Sequence, residues 1–214
     1  MQKYFLDNKS NKLILFFTGW GCDKNQFVNL TTQNDLLLIY DYQNFDLNFD
    51  FSNYKEIYNI SYSAGVFISS ILDKNIPNIK QKVAICGNPY LFDENIGLTK
   101  EIVTEFRNIN LNNYLNFRRK YMVETEKEFE QYNKLQSQRS LESCMSELDF
   151  LEKIYIQEKN NINPYFDKVI LAENDLIFKL KTQKEFYKNN IKIIPKVKHH
   201  IFFKFKTYDE ILDF

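Results

Sequence analysis

A chain of 214 residues with 44% hydrophobic and 26% charged side chains can bury one sizeable core but not two full domains, and this balance excludes disordered, collagen-like and disulfide-scaffold proteins. Its 28 basic and 28 acidic side chains cancel, so no global field draws it to nucleic acid or an anionic membrane, and an acidic partner must be met by a local patch. The start, Met1-Gln2-Lys3-Tyr4-Phe5-Leu6-Asp7, lacks the apolar stretch of a secretion signal, and no run of about 18 uncharged apolar residues occurs. Cys22, Cys86 and Cys144 are dispersed and show no zinc-ligand spacing, so reduced thiols in a cytoplasmic protein are expected.

Short continuous apolar runs recur in chain order at 13–17, 36–40, 57–60, 83–86, 169–172 and 191–194, with helix-like stretches between them. Runs that do not alternate belong to strands buried on both faces, which predicts an α/β fold with a mostly parallel sheet of about six strands flanked by helices. Residues 98–163 carry no strand signal. Phe129, Tyr132, Leu135, Leu148, Leu151 and Tyr155 recur there at helical spacing, which predicts a helical lid insertion at 98–163 in a core made of 1–97 and 164–214. Asn160-Asn161-Ile162-Asn163-Pro164 marks the return to the core, and the tail from Phe202 to Phe214 reads as a final amphipathic helix on the sheet.

Four of the five glycines, Gly19, Gly21, Gly65 and Gly87, follow predicted strands, at the edge where open α/β sheets bind ligands. Tyr58-Asn59-Ile60-Ser61-Tyr62-Ser63-Ala64-Gly65-Val66-Phe67-Ile68 reads as strand, sharp turn and helix with Ser63 at the apex. It approximates the Gly-x-Ser-x-Gly nucleophile elbow, with Ser61 in place of the first glycine. The plainer reading of Ser63 is a helix N-cap. The chain has two histidines, His199 and His200, just past the last predicted strand, where a triad base belongs, and His200 is taken as the base. Asp175, after the penultimate strand, is taken as the acid, with Glu173 as alternative; its plainer role is to cap a helix beginning near Leu176. The order Ser63, Asp175, His200 is that of α/β-hydrolases. Phe17-Thr18-Gly19-Trp20-Gly21 follows the first long strand, and the backbone N–H groups of Trp20 and Ala64 are expected to form an oxyanion hole.

Phe17-Thr18-Gly19-Trp20-Gly21-Cys22-Asp23, Tyr62-Ser63-Ala64-Gly65-Val66, Ala84-Ile85-Cys86-Gly87-Asn88-Pro89, Asn174-Asp175 and His200-Ile201-Phe202-Phe203 together make the chain resemble the BioG-type pimeloyl-ACP methyl ester esterases. The likeness is spread over nearly the whole chain and is weakest in the helical insertion. The resemblance implies a serine esterase that removes the methyl group of pimeloyl-ACP methyl ester in biotin synthesis, with Ser63, Asp175 and His200 as triad. It implies no cofactor or metal and an acyl carrier protein as partner. Thr18, Cys22, Tyr62 and Phe202 depart from the family's usual residues. All four arginines, Arg107, Arg118, Arg119 and Arg139, lie in the insertion, where they could pair with carrier carboxylates or a pantetheine phosphate. Ordinary helix-surface ion pairs are the plainer account of such arginines. The rival functions are an esterase or thioesterase of other acyl specificity and a non-catalytic hydrolase-fold binding protein.

Overall fold

Each of the six apolar runs coincides with a strand of the computed structural model of the chain, which describes residues 1–213, and only Cys86, at the end of the fourth run, lies past its strand. The strands are β1 (Gln2–Leu6), β2 (Lys12–Phe17), β3 (Asp35–Tyr40), β4 (Glu56–Tyr62), β5 (Ile79–Ile85), β6 (Lys168–Ala172) and β7 (Ile191–Ile194). They form one sheet in the order β1-β3-β2-β4-β5-β6-β7, parallel throughout except at β1. The seventh strand, β1, has no continuous buried run: it pairs antiparallel with β3 at the sheet edge and is largely exposed, so the signal that marked the other six is missing.

Alternation along β2 shows why its sequence is apolar without a break. Leu13, Leu15 and Phe17 pack into the cluster that holds Phe67, Ile68, Leu148 and Leu151, while Ile14 and Phe16 pack on the opposite face with Leu36, Ile60, Tyr208 and Ile211. Successive side chains point to opposite faces, and here both faces are dry. Each such aliphatic side chain adds roughly 1.5–3 kcal/mol on burial.

Helix α1 (Ala64–Leu72) follows β4 directly. Between β5 and β6 come α2 (Lys100–Arg107), α3 (Tyr114–Phe117), which runs into a π-helical turn at Arg118–Met122, then α4 (Glu126–Lys134) and α5 (Leu141–Glu158). Helix α5 turns Cys144, Glu147, Leu148, Leu151 and Ile154 inward, so the helical segment shares the core of the sheet's α1 face. Helix α6 (Leu180–Tyr187) precedes β7. The tail is not one helix: Phe202–Lys204 is a 3-10 turn and only Tyr208–Leu212 forms α7, with Tyr208, Ile211 and Leu212 buried. Phe214, the end of the expected tail helix, lies outside the described residues. Among the described residues no helix is long and apolar enough to cross a membrane.

Candidate active site

Ser63 sits between β4 and α1 with φ 55° and ψ −122°, a conformation that costs a non-glycine residue of order 1–3 kcal/mol and persists only when its surroundings impose it. Contacts around the turn impose it. Ser63 N–H donates to Ile85 O of the neighbouring strand at 2.9 Å, and Val66 N–H donates back to Ser63 O at 3.0 Å. Gly65 lets α1 lie against β2, since a Cβ there would stand 2.3 Å from Phe17 O. Ser61, at the place of the motif's first glycine, is fully buried and bonds Asn59 Oδ1 and Ser69 Oγ at 2.8 and 2.7 Å, joining β4 to α1. The Ser63 hydroxyl makes no cap bond to α1, which removes the N-cap reading.

That hydroxyl lies 2.9 Å from His199 Nε2, and His199 Nδ1 lies 2.8 Å from Asp175 Oδ2. A carboxylate has no proton to give, so Nδ1–H donates to Asp175 and Nε2 is left to accept from the serine. Asp175 Oδ1 accepts the N–H groups of Ile177 and Phe178 at 2.8 and 3.0 Å, so the aspartate also caps a turn. The turn stands before α6, which begins at Leu180 rather than near Leu176. One oxygen of Asp175 therefore meets an imidazole and the other caps the turn. Glu173 is exposed and accepts from Lys196 N–H at 2.8 Å, away from the imidazole.

The imidazole in this chain of hydrogen bonds belongs to His199, not to His200 as the sequence suggested. His200 points into an aromatic box, with ring centroids of Tyr132 and Phe203 each 4.8 Å away and Phe202 at 5.3 Å. Its Nε2 has no hydrogen-bond partner among the described residues, and burial, followed by the neighbouring His199, pushes its pKa down to about 3. The unfolded imidazole takes up a proton near pH 6.5 and the folded one only near pH 3. Between these values the unfolded chain holds more protons, so stability should fall by about 1.4 kcal/mol per pH unit as pH drops. His200→Leu should flatten that slope in urea midpoints measured from pH 7 to pH 4; an unchanged slope would show that His200 is not its source.

The loop after β2 faces Ser63. Cys22 N–H donates to Gly19 O at 3.3 Å and Gly21 N–H to Glu147 Oε2 at 2.9 Å, leaving the N–H of Trp20 without an acceptor among the described residues. Ala64 N–H, in the first turn of α1, has no intrahelical acceptor either. These are the two groups expected as oxyanion donors. The indole of Trp20 is held by Nε1–H to Cys144 O at 2.6 Å and by stacking on Phe106 at 4.8 Å.

Sequence reasoning did not find Glu147. It is fully buried on α5 and accepts from Gly21 N–H, Tyr42 N–H and Arg139 Nη1, which stands 2.6 Å away. Burial raises its pKa, with the Arg139 charge and the two N–H donors pulling the other way. The two backbone donors lie 126 and 105 residues distant, and the eight-residue spacing to Arg139 does not by itself mark a site. Through this carboxylate the helical segment fixes the Gly-Trp-Gly loop.

A narrow cavity of about 60 Å³ opens on Ser63 and His199, walled by Trp20, Phe106, Phe117 and Tyr132 among others. Of the four arginines, three are engaged elsewhere: Arg107 with Asp149 and Glu152, Arg119 with Glu126, and Arg139 with Asp41 and Glu147. The side chain of Arg139 is 7% exposed, and the pairs of Arg107 and Arg119 are the surface ion pairs of the plainer reading. Arg118 alone of the four lines the cavity.

A mostly parallel, helix-covered sheet with serine, acid and imidazole following β4, β6 and β7 defines an α/β-hydrolase. The family model described as pimeloyl-ACP methyl esterase BioG matches residues 1–211, and the chain belongs to that family. A crystal structure of BioG from Haemophilus influenzae superposes with a TM-score of 0.88 at 26% identity, covering 100% of both chains. A lipase-esterase related protein from Clostridium acetobutylicum shares the fold, with a TM-score of 0.61 at 18% identity over 92% of each chain. A malonyl-[acyl-carrier protein] O-methyltransferase of Bacteroides fragilis (strain 638R) is 33% identical over 177 residues, 80% of this chain. The chain spans about a third, 36%, of that relative's length.

Proposed function

We propose that the chain is a serine esterase that hydrolyses pimeloyl-ACP methyl ester to pimeloyl-ACP and methanol in biotin biosynthesis. The observation that carries this reading is the continuous hydrogen-bonded chain from Ser63 Oγ through His199 to Asp175 in a member of the BioG family. Ser63 Oγ attacks the ester carbonyl while His199 Nε2 takes its proton, and the tetrahedral oxyanion accepts from the N–H groups of Trp20 and Ala64. The C–O bond to the methoxy group breaks, His199 returns the proton, and methanol leaves. Water then attacks the acyl-serine by the same route, with His199 as base, and frees the acid. Asp175 keeps the imidazole in the working tautomer and stabilises the imidazolium. The acyl carrier protein is the partner that presents the substrate, and the site of this chemistry is the cytoplasm.

Covalent labelling of the serine and ester turnover separate this reading from a non-catalytic one. A fluorophosphonate probe should label the protein once, at Ser63, and Ser63→Ala should abolish both labelling and turnover of p-nitrophenyl esters. Failure of the unaltered, folded protein to label or turn over any ester would contradict it.

A further inference from the structure

Arg118 is 3% exposed, yet no carboxylate of the described residues pairs with it. Its Nη1 donates to the amide oxygens of Asn133 and Gln136 at 2.9 and 3.0 Å. Its guanidinium carbon lies 4.0 Å from the ring centre of Tyr114 and 5.6 Å from that of Tyr132. These partners are neutral. Each of the other three arginines has at least one carboxylate. Guanidinium cannot shed its proton, so a buried arginine among neutral groups stays charged and incompletely compensated. Nη2 and Nε have no acceptor among the described residues. Arg118 begins the π-helical turn after α3, the kind of local widening that re-aims side chains at functional sites, and it lines the same cavity as Ser63 and His199. Among the residues lining that cavity there is no aspartate or glutamate, and Arg118 is its one permanently charged side chain.

We propose that Arg118 is a specificity-determining donor that receives a second acyl oxygen of the substrate, at the end of the acid chain remote from the ester bound at Ser63. The inference rests on the esterase reading and adds to it the side chain that tells the far end of a dicarboxylic acyl chain from the alkyl end of a simple fatty acid. A carboxylate in a free half-ester and a carbonyl in a thioester or diester share the chemistry that a guanidinium fork recognises. A plain alkyl end would instead leave the cation buried and unpaired.

The test compares kcat/KM for monomethyl pimelate, dimethyl pimelate and methyl heptanoate, which have acid chains of equal length and differ at the remote end. In the unaltered protein at least one of the two dicarboxylic esters should exceed methyl heptanoate by about 10- to 100-fold, the worth of a hydrogen bond to a charged group. A half-ester ahead of the diester identifies a carboxylate as the ligand; a diester equal or ahead identifies a carbonyl. Arg118→Met should collapse the ratio towards one, and Arg118→Lys, which keeps the charge without the fork, should keep part of it. Equal kcat/KM for all three esters in the unaltered protein overturns the inference however the variants behave. A ratio that survives Arg118→Met in protein still labelled at Ser63 overturns it as well. Loss of the esterase reading itself would look different, as no labelling and no hydrolysis of any ester.

Discussion

His199→Ala is expected to lower kcat by about ten-thousandfold to a millionfold with little change in KM, the scale of loss when a triad base is removed. The bond from Nε2 to Ser63 Oγ disappears with the ring, and the hydroxyl keeps a proton that nothing nearby can accept. His200→Leu is expected to keep kcat within about tenfold, because that ring touches aromatic side chains and neither Ser63 nor Asp175. Steady-state kinetics on both variants with a p-nitrophenyl ester decides between them. An active His199→Ala beside a silent His200→Leu would return the base to the residue first suggested by the sequence.

Gly65→Ala should prevent the chain from reaching its native fold, or destabilise it by more than about 3 kcal/mol. A Cβ at position 65 would lie 2.3 Å from Phe17 O and 2.5 Å from Thr18 O, and both are backbone atoms of the strand end that carries the Gly-Trp-Gly loop. No side-chain rotation relieves such a contact; α1 must move away from β2, taking the Ser63 turn with it. Circular dichroism and the urea midpoint read the effect, and a variant with unaltered midpoint and full activity would show that the turn does not depend on this close approach. Gly87 is constrained in the same way from the other side, where an added Cβ would stand 2.4 Å from Ser63 O.

The strands were legible because burial on both faces of a parallel sheet leaves unbroken apolar runs, and β1 escaped because an edge strand with one antiparallel partner needs no such run. The places of Ser63 and Asp175 in the hydrogen-bonded chain were legible from the residues around them, since a strained turn needs small neighbours and an acid at a strand end has few competitors. The base could not. His199 and His200 are adjacent, and successive side chains of a non-helical segment leave it on different sides, so choosing between them requires the phase of the backbone after β7. Arg118 was indistinguishable in sequence from Arg107 and Arg119, because all three stand among Glu, Lys and Asn in amphipathic segments. Burial separates them: the first faces the cavity, and the other two hold surface carboxylates. Glu147 depends on contacts far along the chain, which no single-sequence pattern records.

Ser63, activated by His199, is expected to cleave a carrier-linked methyl ester. Intact-mass measurement of pimeloyl-ACP methyl ester after incubation with the purified protein tests it most directly, with Ser63→Ala run in parallel. The carrier should lose the mass of one methylene group, as the methyl ester becomes an acid, and methanol should appear in equal amount, with the unaltered protein alone. A carrier mass that stays unchanged while a fluorophosphonate still labels Ser63 would contradict the assignment of this substrate, and cleavage that persists in Ser63→Ala would contradict the mechanism.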